Sequence, residues 1–382
     1  MSARDTVLAL NSGSSSLKFA LFARDASDGE DASKPIVEGS ASSIGHDDGR
    51  FVMRAADGSI HVDTARGFKT QTDVLAQIAA AFDEHTLAQP LAVGHRVVHG
   101  GPHLREHCVL TARVRETLEA SVHFAPLHIP PALELIDEAT KIFGDARQIV
   151  CFDTAFHRTL PDRASHFALP RRYAQQGVIR YGFHGLSYES LVRRLGASLP
   201  ARAVFAHLGN GSSLCAVRDG ISIDTTMGMT PTGGVPMGTR TGDLDPGVLL
   251  HLMRTERLDA DALETLVNHE SGLAGLSGGE SQMQNLAARA QRGDADAALA
   301  VEAFTSAVRK TVGAYAALMG GVDLLVFTGG IGEHSAQVRD AVCDGLEFLG
   351  LRASEANGSR ANVITLHAEE EAQIAMHCRA LL

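Results

Sequence analysis

Short apolar runs along the chain end in turns that are rich in glycine and serine. The stretch VLAL-NSGSSS-LKFALF (7–22) predicts a strand, a tight turn and a second strand, and AVFAHL-GNGSS-LCAV (203–217) repeats that order. Because the same arrangement returns about half a chain later, we expect two halves of similar construction.

A third glycine-rich turn, TGGIGEHS (328–335), lies between the apolar run VDLLVF and a segment with helical spacing. Strand, loop and helix is the order we expect there. Apolar residues also recur at helical spacing in 71–85, 258–270 and 295–320, whereas Asp25–Pro35 has the composition of an exposed loop insertion. Helices that alternate with short apolar strands predict the α/β fold class.

Length and composition are those of an ordinary globular protein. The 382 residues suit two domains, and 45% of them are hydrophobic. A net charge of -11 repels phosphate backbones, so nucleic acid is not an expected partner.

No apolar run approaches the ~20 residues of a membrane span. The five cysteines are widely spaced without a CxxC pair, which is typical of reduced thiols. We expect a cytoplasmic protein that has no membrane partner.

The glycine and serine turns are candidates for phosphate binding. Their backbone N–H groups and hydroxyls can hold phosphate oxygens without a side-chain clash. An ordinary hairpin turn is the commoner explanation for any one of them, but three such turns at strand ends favour a nucleotide. The spacings of the Walker A and dinucleotide motifs are absent. Lys18 follows the first turn, where its ammonium either neutralises phosphate or is solvated surface.

Four further charged or titratable residues stand in places that suit chemistry. Arg96 lies between apolar residues beside a glycine pair, where a guanidinium fork suits a carboxylate or a phosphate. Asp153 ends the apolar run QIVCF, so it either faces a ligand crevice or caps the next segment. His184 and Arg240 lie in polar glycine turns, where a lone residue is more often structural. Together with Lys18 they supply the cations and the acid that phosphoryl transfer needs.

Four histidines at regular spacing are candidates for a metal site. His95, His99, His103 and His107 recur at helical spacing, which can place imidazoles on one face of a helix. The segment Gly100-Gly101-Pro102 interrupts any helix there. We therefore expect no zinc site from these four residues.

Eight ordered segments resemble the acetate kinase (acetokinase) family: NSGSSSLKF, GHRVVHGG, FDTAFH, YGFHG, HLGNGSS, MGMTP, GTRTGDLDPG and FTGGIGE. They extend from one end of the chain to the other. The resemblance implies two duplicated α/β domains of the sugar kinase, heat-shock ATPase and actin (ribonuclease H-like) type, with a nucleotide cleft between them. We expect an N-terminal domain of 1–151 plus 372–382 and a C-terminal domain of 152–371 for nucleotide binding and dimerisation, which makes a homodimer the implied assembly.

The resemblance also implies roles for residues inside the matching motifs. Asp153, His184 and Arg240 are the implied catalytic residues, the last two stabilising charge on the migrating phosphoryl group. The implied substrate-binding residues are Arg96, which grips the carboxylate, and Val98, Leu127, Phe183 and Pro231, which shape a small acyl pocket. The implied nucleotide-binding residues are Lys18, His207, Leu208, Gly209, Asn210, Gly211, Gln282, Met283, Gln284, Gly330, Ile331, Gly332, Glu333 and His334. The implied ligands of Mg²⁺, with Mn²⁺ as an alternative, are Asn11 and Glu370, the latter flanked by Glu369 and Glu371.

The implied activity is reversible phosphoryl transfer from ATP to acetate, giving acetyl phosphate and ADP. An acid with a pKa near ~4.3 is already an anionic nucleophile at neutral pH, so in-line attack requires no general base. Asp153 would then orient groups or face the metal. Gln282 and Gln284 stand where the family usually has an Asp and an Arg, and His334 replaces the usual Asn, so the phosphoryl donor is an open question.

Three other functions fit parts of the sequence. A propionate kinase would differ by one methylene in an apolar pocket, which is worth only ~1–3 kcal/mol. A non-transferring ATPase of the same fold would have no use for Arg96 and Arg240. A sugar kinase would need a catalytic base and several polar groups, which the motifs around Arg96 and Leu127 do not offer.

Overall fold

The computed structural model describes residues 5–13, 15–25, 33–351 and 362–382, so residues 26–32 of the expected loop insertion lie outside the described residues. The strands are β1 (Thr6–Ser12), β2 (Leu17–Ala23), β3 (Val37–Ser42), β4 (Arg50–Ala55), β5 (Ile60–Ala65), β6 (Pro90–Val97), β7 (Cys108–Val109), β8 (Arg147–Phe152), β9 (Arg202–Leu208), β10 (Ser212–Arg218), β11 (Ile221–Thr225), β12 (Leu324–Thr328) and β13 (Val363–Thr365).

The α-helices are α1 (Gln71–Glu84), α2 (Ala112–Ala120), α3 (Ile129–Ile142), α4 (Asp162–Ser165), α5 (Arg171–Gln175), α6 (Gly185–Leu195), α7 (Pro246–Thr255), α8 (Ala260–His269), α9 (Gly272–Ser277), α10 (Met283–Gln291), α11 (Ala295–Met319), α12 (Gly329–His334), α13 (Ala336–Cys343) and α14 (Glu370–Leu381). The α/β class is confirmed, and so are the helices expected in 71–85, 258–270 and 295–320.

The chain divides into two compact units. The first consists of Met1–Ala155, Gly185–Ser190 and Glu369–Leu382, and the second consists of Phe156–His184 and Leu191–Ala368. Each unit contains one mixed sheet. The domain bounds that the family resemblance implies stay a prediction.

The sheet of the first unit has the strand order β5-β4-β3-β2-β1-β6-β8-β7. Strand β1 pairs antiparallel with β2 and parallel with β6, and β6 pairs parallel with β8. The hairpin predicted over 7–22 is therefore confirmed, and its register places Asn11 opposite Lys18.

The sheet of the second unit has the order β11-β10-β9-β12-β13 and repeats this plan. Strand β9 pairs antiparallel with β10, which confirms the second predicted hairpin, and parallel with β12 on its other side. In the first unit a five-stranded antiparallel meander from β5 to β1 continues into parallel strands, and in the second unit a three-stranded meander from β11 to β9 does so. The two halves are thus built alike, as the repeated strand-turn-strand pattern predicted.

Alternating side chains of β1 supply two apolar faces, because successive residues of a strand point to opposite sides of the sheet. Leu8 and Leu10 join the core formed with α1 and α3, whereas Val7 and Ala9 join the core formed with α14. Gly94 of β6 also faces α14, and a Cβ there would come within 2.4 Å of Ile374. Small residues in the sheet therefore allow the last helix to pack closely.

Helix α11 organises the core of the second unit. Asp294 caps its first turn, and the left-handed Gly320 ends it after 25 residues. Phe304, Val308 and Val312 are buried against the sheet in one core cluster. Neither α11 nor any other helix of the described ranges is long and apolar enough to cross a membrane.

The third glycine-rich turn differs from the prediction. We expected a loop after the strand, but the chain enters the six-residue helix α12 directly after β12. Gly329 turns the backbone with a φ of 76°, and the Glu333 carboxylate accepts the N–H of Gly329 at 3.0 Å. This carboxylate satisfies one of the N–H groups that the helix start leaves without an intrahelical partner, so the segment folds as a helical turn.

Candidate active site

The half-buried Arg96 and the buried Asp153 form an ion pair in the first unit. Arg96 lies near the end of β6, and Asp153 directly follows β8 in the neighbouring position. Asp153 Oδ2 accepts the Nε of Arg96 at 2.9 Å and its Nη2 at 2.5 Å, while Nη1 donates to the carbonyl of Ser12 at 3.0 Å. The carboxylate of Asp153, which is 1% exposed, thus holds a guanidinium.

Burial and charge act in opposite directions on this pair. Burial opposes the charge of Arg96, but the carboxylates of Asp153 and Glu370 outweigh it and raise the pKa of the guanidinium above its ordinary value. Burial raises the pKa of Asp153, against the effect of Arg96, and Glu370 adds to the increase. The carboxylates around this ion pair therefore favour the binding of a cation over the addition of further negative charge.

Asn11 lies beside two carboxylates of α14. Its Nδ2 donates to Glu370 Oε2 at 2.9 Å and to Glu371 Oε1 at 2.8 Å. The resemblance implied Glu370 with Glu369 and Glu371 as its neighbours, and the structure brings both Glu370 and Glu371 to Asn11. The backbone N–H of the preceding residue, Glu369, donates to the Ser190 hydroxyl at 3.1 Å.

This cluster fits Mg²⁺ by its chemistry. Hard divalent cations take oxygen ligands from carboxylates and amides. Here the amide of Asn11 meets two carboxylates, and both act electrostatically on Arg96 as well. A bound divalent cation would neutralise the negative charge that gathers at this point.

The other sequence-predicted residues of the first unit lie on its surface or near it. Lys18 is exposed on β2 opposite Asn11, so its ammonium belongs to the same end of the hairpin. Val98 is half-buried just after β6, and the Leu127 side chain is exposed.

In the second unit, His184 and Arg240 border the glycine turn after β9. A Cβ at Gly211 would lie 3.5 Å from His184 Nε2 and 3.7 Å from Arg240 Nη1. Arg240 Nη1 also donates to the carbonyl of Pro231 at 3.1 Å. Two basic side chains and the Pro231 carbonyl are therefore brought together at a turn of backbone N–H groups.

His184 is held in one orientation by its neighbours. Its backbone adopts the left-handed conformation with a φ of 57°, which is uncommon for a residue other than glycine. The ring stacks on His207 at 4.1 Å between centroids, and Nδ1 lies 2.9 Å from the Ser213 hydroxyl. Ser213 belongs to the GNGSS motif but lies on β10, beyond the turn from His207 to Gly211 for which the resemblance implies phosphate contact.

The remaining nucleotide-side residues surround the same turn. Gly238 N–H donates to the carbonyl of Asn210 at 3.1 Å, and a Cβ at Gly209 would lie 4.0 Å from the nitrogen of Gly330. Leu208 and Gly332 are buried, Gly209, Gly211, Ile331 and Glu333 are half-buried, and Asn210, Gly330 and His334 are exposed. Phe183 is buried and Pro231 is half-buried in this unit.

The segment with the unusual glutamines opens helix α10. Gln282 and Gln284 are both exposed, whereas Met283 between them is buried in the main core cluster. The two amides are thus available to a ligand, and Met283 anchors the segment that carries them.

The four histidines at 95, 99, 103 and 107 do not share a helix. His95 lies on β6 and contacts Gln148 at 2.8 Å, and burial lowers the pKa of His95 to about 4. His107 instead meets Glu189 and His377, which are far away in the sequence. No local pattern pointed to that group.

Comparisons with known proteins identify the family. Residues 6–377 match the acetokinase family. An acetate kinase from Methylocella silvestris is 42% identical over 401 residues, which cover 98% of either chain. A propionate kinase from Francisella tularensis has a TM-score of 0.88 at 33% identity, covering 99% of this chain and 100% of that one.

The crystal structure of an acetate kinase from Porphyromonas gingivalis has a TM-score of 0.83 at 34% identity, covering 97% of this chain and 98% of the other. Both the sequence matches and the structural matches extend over nearly the full length of the chain. Within the first unit Arg96 lies beside Asp153, and within the second unit His184 and Arg240 lie beside Gly211. The chain therefore belongs to the acetokinase family.

Proposed function

We propose that this protein is an acetate kinase, which transfers a phosphoryl group reversibly between ATP and acetate. The carboxylate oxygen of acetate attacks the γ-phosphorus in line, the bond to ADP breaks, and acetyl phosphate and ADP are formed. No proton moves, because acetate is anionic at neutral pH.

The half-buried Arg96 carries this proposal. Asp153 and the carbonyl of Ser12 hold its guanidinium in place, and a positioned cation with a rigid fork is suited to a small carboxylate. A hydrolytic ATPase would have no need for such a group. Val98, which follows on the same segment, supplies apolar surface for a short acyl chain.

His184 and Arg240 are proposed to act on the migrating phosphoryl group. Phosphoryl transfer depends mainly on alignment and on cations placed around the transferred group. The ring of His184 is oriented by His207 and Ser213, and the polar tips of His184 and Arg240 both approach Gly211. The backbone N–H groups of this turn would receive the nucleotide phosphates, with Lys18 as a further cation.

Asn11 and Glu370, joined by Glu371, are the proposed holders of Mg²⁺. The bound ion would neutralise charge on the nucleotide phosphates. Asp153 keeps Arg96 oriented and takes no proton, since the acceptor needs no base.

The nucleotide side of the proposal rests on Gly330, Ile331, Gly332, Glu333 and His334 with Gln282 and Gln284. An amide keeps hydrogen-bonding capacity but lacks the charges that the family usually has at these two positions. ATP is the donor that the family implies, and GTP and pyrophosphate are the alternatives to compare.

Trapping of the acyl phosphate with hydroxylamine tests the proposal. Acetate, propionate and butyrate would each be combined with ATP, GTP and pyrophosphate in the presence of Mg²⁺, with Arg96→Ala as the control. We expect hydroxamate from acetate and ATP that disappears in the variant. Folded protein that gives no hydroxamate with any pair, but hydrolyses ATP, would contradict the carboxylate-kinase assignment and favour a non-transferring ATPase.

Propionate kinase is the second candidate, because the Francisella tularensis structure with a TM-score of 0.88 is a propionate kinase. One methylene in an apolar pocket changes selectivity by only ~1–3 kcal/mol. The ratio of kcat/KM for acetate and propionate in the same assay decides between them.

The proposal includes a cytoplasmic location and a homodimeric assembly. All five cysteines are free thiols, which is typical of reducing compartments. Leu244, Val248, Leu250 and Met253 expose apolar surface on and next to α7, and no residue of that helix is buried. An unpaired apolar face of this kind is expected at an interface between subunits.

A further inference from the structure

Three side chains outside the candidate active site form a compact polar group in the first unit. The imidazoles of His107 and His377 contact each other with ring centroids 3.8 Å apart, and the carboxylate of Glu189 bridges their Nε2 atoms. Glu189 Oε2 is 2.7 Å from His377 Nε2, and His107 Nε2 is 3.4 Å from the same carboxylate. We call these three residues the Glu189 network.

The position of one proton in this network follows from the backbone. Phe152 N–H donates to His107 Nδ1 at 3.0 Å, so Nδ1 must present a lone pair. A neutral imidazole that accepts at Nδ1 carries its proton on Nε2. His107 Nε2 therefore donates to Glu189 and has no lone pair to offer a metal ion, although the three ligand atoms lie within 4.8 Å of one another.

The Glu189 carboxylate is an ionised acceptor. Burial alone would raise the pKa of this carboxyl, but hydrogen bonds from His107 and His377 outweigh it and lower the pKa to about 2. The Gln373 amide, one turn before His377 on α14, lies 3.1 Å from His377 Nε2. The network thus holds a negative charge that specifies which nitrogen of His107 is protonated.

His107 supplies an acceptor that the sheet lacks at this point. Strand β7 pairs with β8 only through Cys108 with Val150 and Val109 with Ile149. Phe152 lies beyond this pairing, and the imidazole side chain of His107 takes the place of a backbone carbonyl for its N–H. The peptide between Cys151 and Phe152 is therefore held by a side chain, whereas the N–H of Asp153 donates to the Val97 carbonyl at 3.1 Å.

We propose that Glu189 is a positioning residue for the Arg96–Asp153 pair, acting through the Nε2-protonated form of His107. Phe152 is the last residue of β8, and the next residue, Asp153, accepts both nitrogens of Arg96. Glu189 selects the His107 form that can accept from Phe152, and this bond fixes the backbone from which Asp153 reaches Arg96. The inference rests on the proposed function, since Arg96 is the proposed grip on the acid.

Replacing His107 with Asn or with Gln keeps one of its two contacts and removes the other. The amide of Asn reaches the position of Nδ1 and can accept from Phe152, whereas the longer Gln reaches the position of Nε2 and can contact only Glu189. We expect His107→Asn to keep kcat/KM for the acid within about threefold of wild type. We expect His107→Gln and Glu189→Gln to lose roughly 10–100-fold, the usual cost of removing a group that orients a functional residue.

If His107 only filled space, His107→Asn would lose more activity than His107→Gln, because Asn fills less of the space than Gln. The KM for ATP should stay unchanged in all three variants, and melting temperatures would report their folding. His103→Asn and His103→Gln are the matched controls, since His103 is exposed on the same segment. Equal losses in His107→Asn and His107→Gln, with both proteins folded, would overturn the proposal.

Nitrogen-15 chemical shifts of the His107 ring give a readout that does not depend on activity. We expect a protonated Nε2 and an unprotonated Nδ1 in wild type, and loss of this preference in Glu189→Gln. A proton on Nδ1 in wild type, or stoichiometric binding of Zn²⁺ that requires Glu189, would overturn the inference. If wild type forms no acyl phosphate, the proposed function fails, while the ring shifts still decide whether Glu189 sets the form of His107.

Discussion

At the scale of single residues, the guanidinium of Arg96 has a geometry that another cation cannot reproduce. Lysine in its place keeps the charge but cannot bond Asp153, the Ser12 carbonyl and an acid together. Losing a charge-assisted hydrogen bond costs about 1.5–3 kcal/mol, so Arg96→Lys should raise KM for acetate roughly 10–100-fold. Steady-state kinetics with acetate and ATP varied separately would measure this. A rise confined to the KM for ATP would show that Arg96 grips phosphate, and exposed Arg113→Lys is the control.

Glu189 makes a residue-scale prediction about stability and pH. Its pKa falls from an ordinary 4.5 to about 2 in the folded protein. A lowered folded-state pKa gives stability that is present above pH 4.5 and is lost as the pH falls towards 2, amounting to about 3 kcal/mol. We expect wild type to melt at a higher temperature than Glu189→Gln at neutral pH, with the gap closing across that range. A gap that is constant from pH 7 to pH 2 would show that the charge contributes nothing.

At the scale of elements, the close contact between β6 and α14 requires that Gly94 has no side chain. A Cβ at Gly94 would lie 2.4 Å from Ile374 Cγ2 and 2.5 Å from Cys378 Sγ, so these side chains or the helix that carries them must shift to accept alanine. Overpacking of this kind costs about 1–3 kcal/mol. Gly94→Ala should therefore lower the melting temperature, and it should also reduce activity because α14 carries Glu370. Gly144→Ala is the matched control, since a Cβ there meets nothing closer than 3.5 Å; equal melting of the two variants would refute the packing argument.

At the scale of the whole molecule, the exposed apolar surface near α7 predicts self-association. Leu250 is 50% exposed on a helix with no buried residue. Burying a leucine at an interface contributes about 1.5–3 kcal/mol, and a charge there would oppose association. We expect light scattering to give a dimer mass for wild type and a monomer mass for Leu250→Glu. Leu299→Glu on α11, where the side chain is 52% exposed, should remain dimeric; a wild-type monomer would exclude the proposed assembly.

Local patterns account for what could be predicted from the sequence. The hairpins over 7–22 and 203–217 follow from apolar runs interrupted by glycine and serine, since strand alternation and turn formation depend on neighbouring residues. The α/β class and the family follow from motifs that are themselves continuous in sequence. The loop expected at 328–335 was wrong, because a single carboxylate, Glu333, was enough to cap a helix there.

The sequence by itself thus determined the repeated strand-turn-strand plan, the family and the motif residues around Arg96, Asp153, His184 and Arg240. Only the tertiary structure decided which side chains share a hydrogen bond across long separations. Glu189 meets His107 from 82 residues away and His377 from 188 residues away, and Asn11 meets Glu370 across 359. Such contacts depend on strand order and on the packing of α14 against the sheet. Local propensity contains no information about them, because residues this far apart become neighbours only when the whole unit folds.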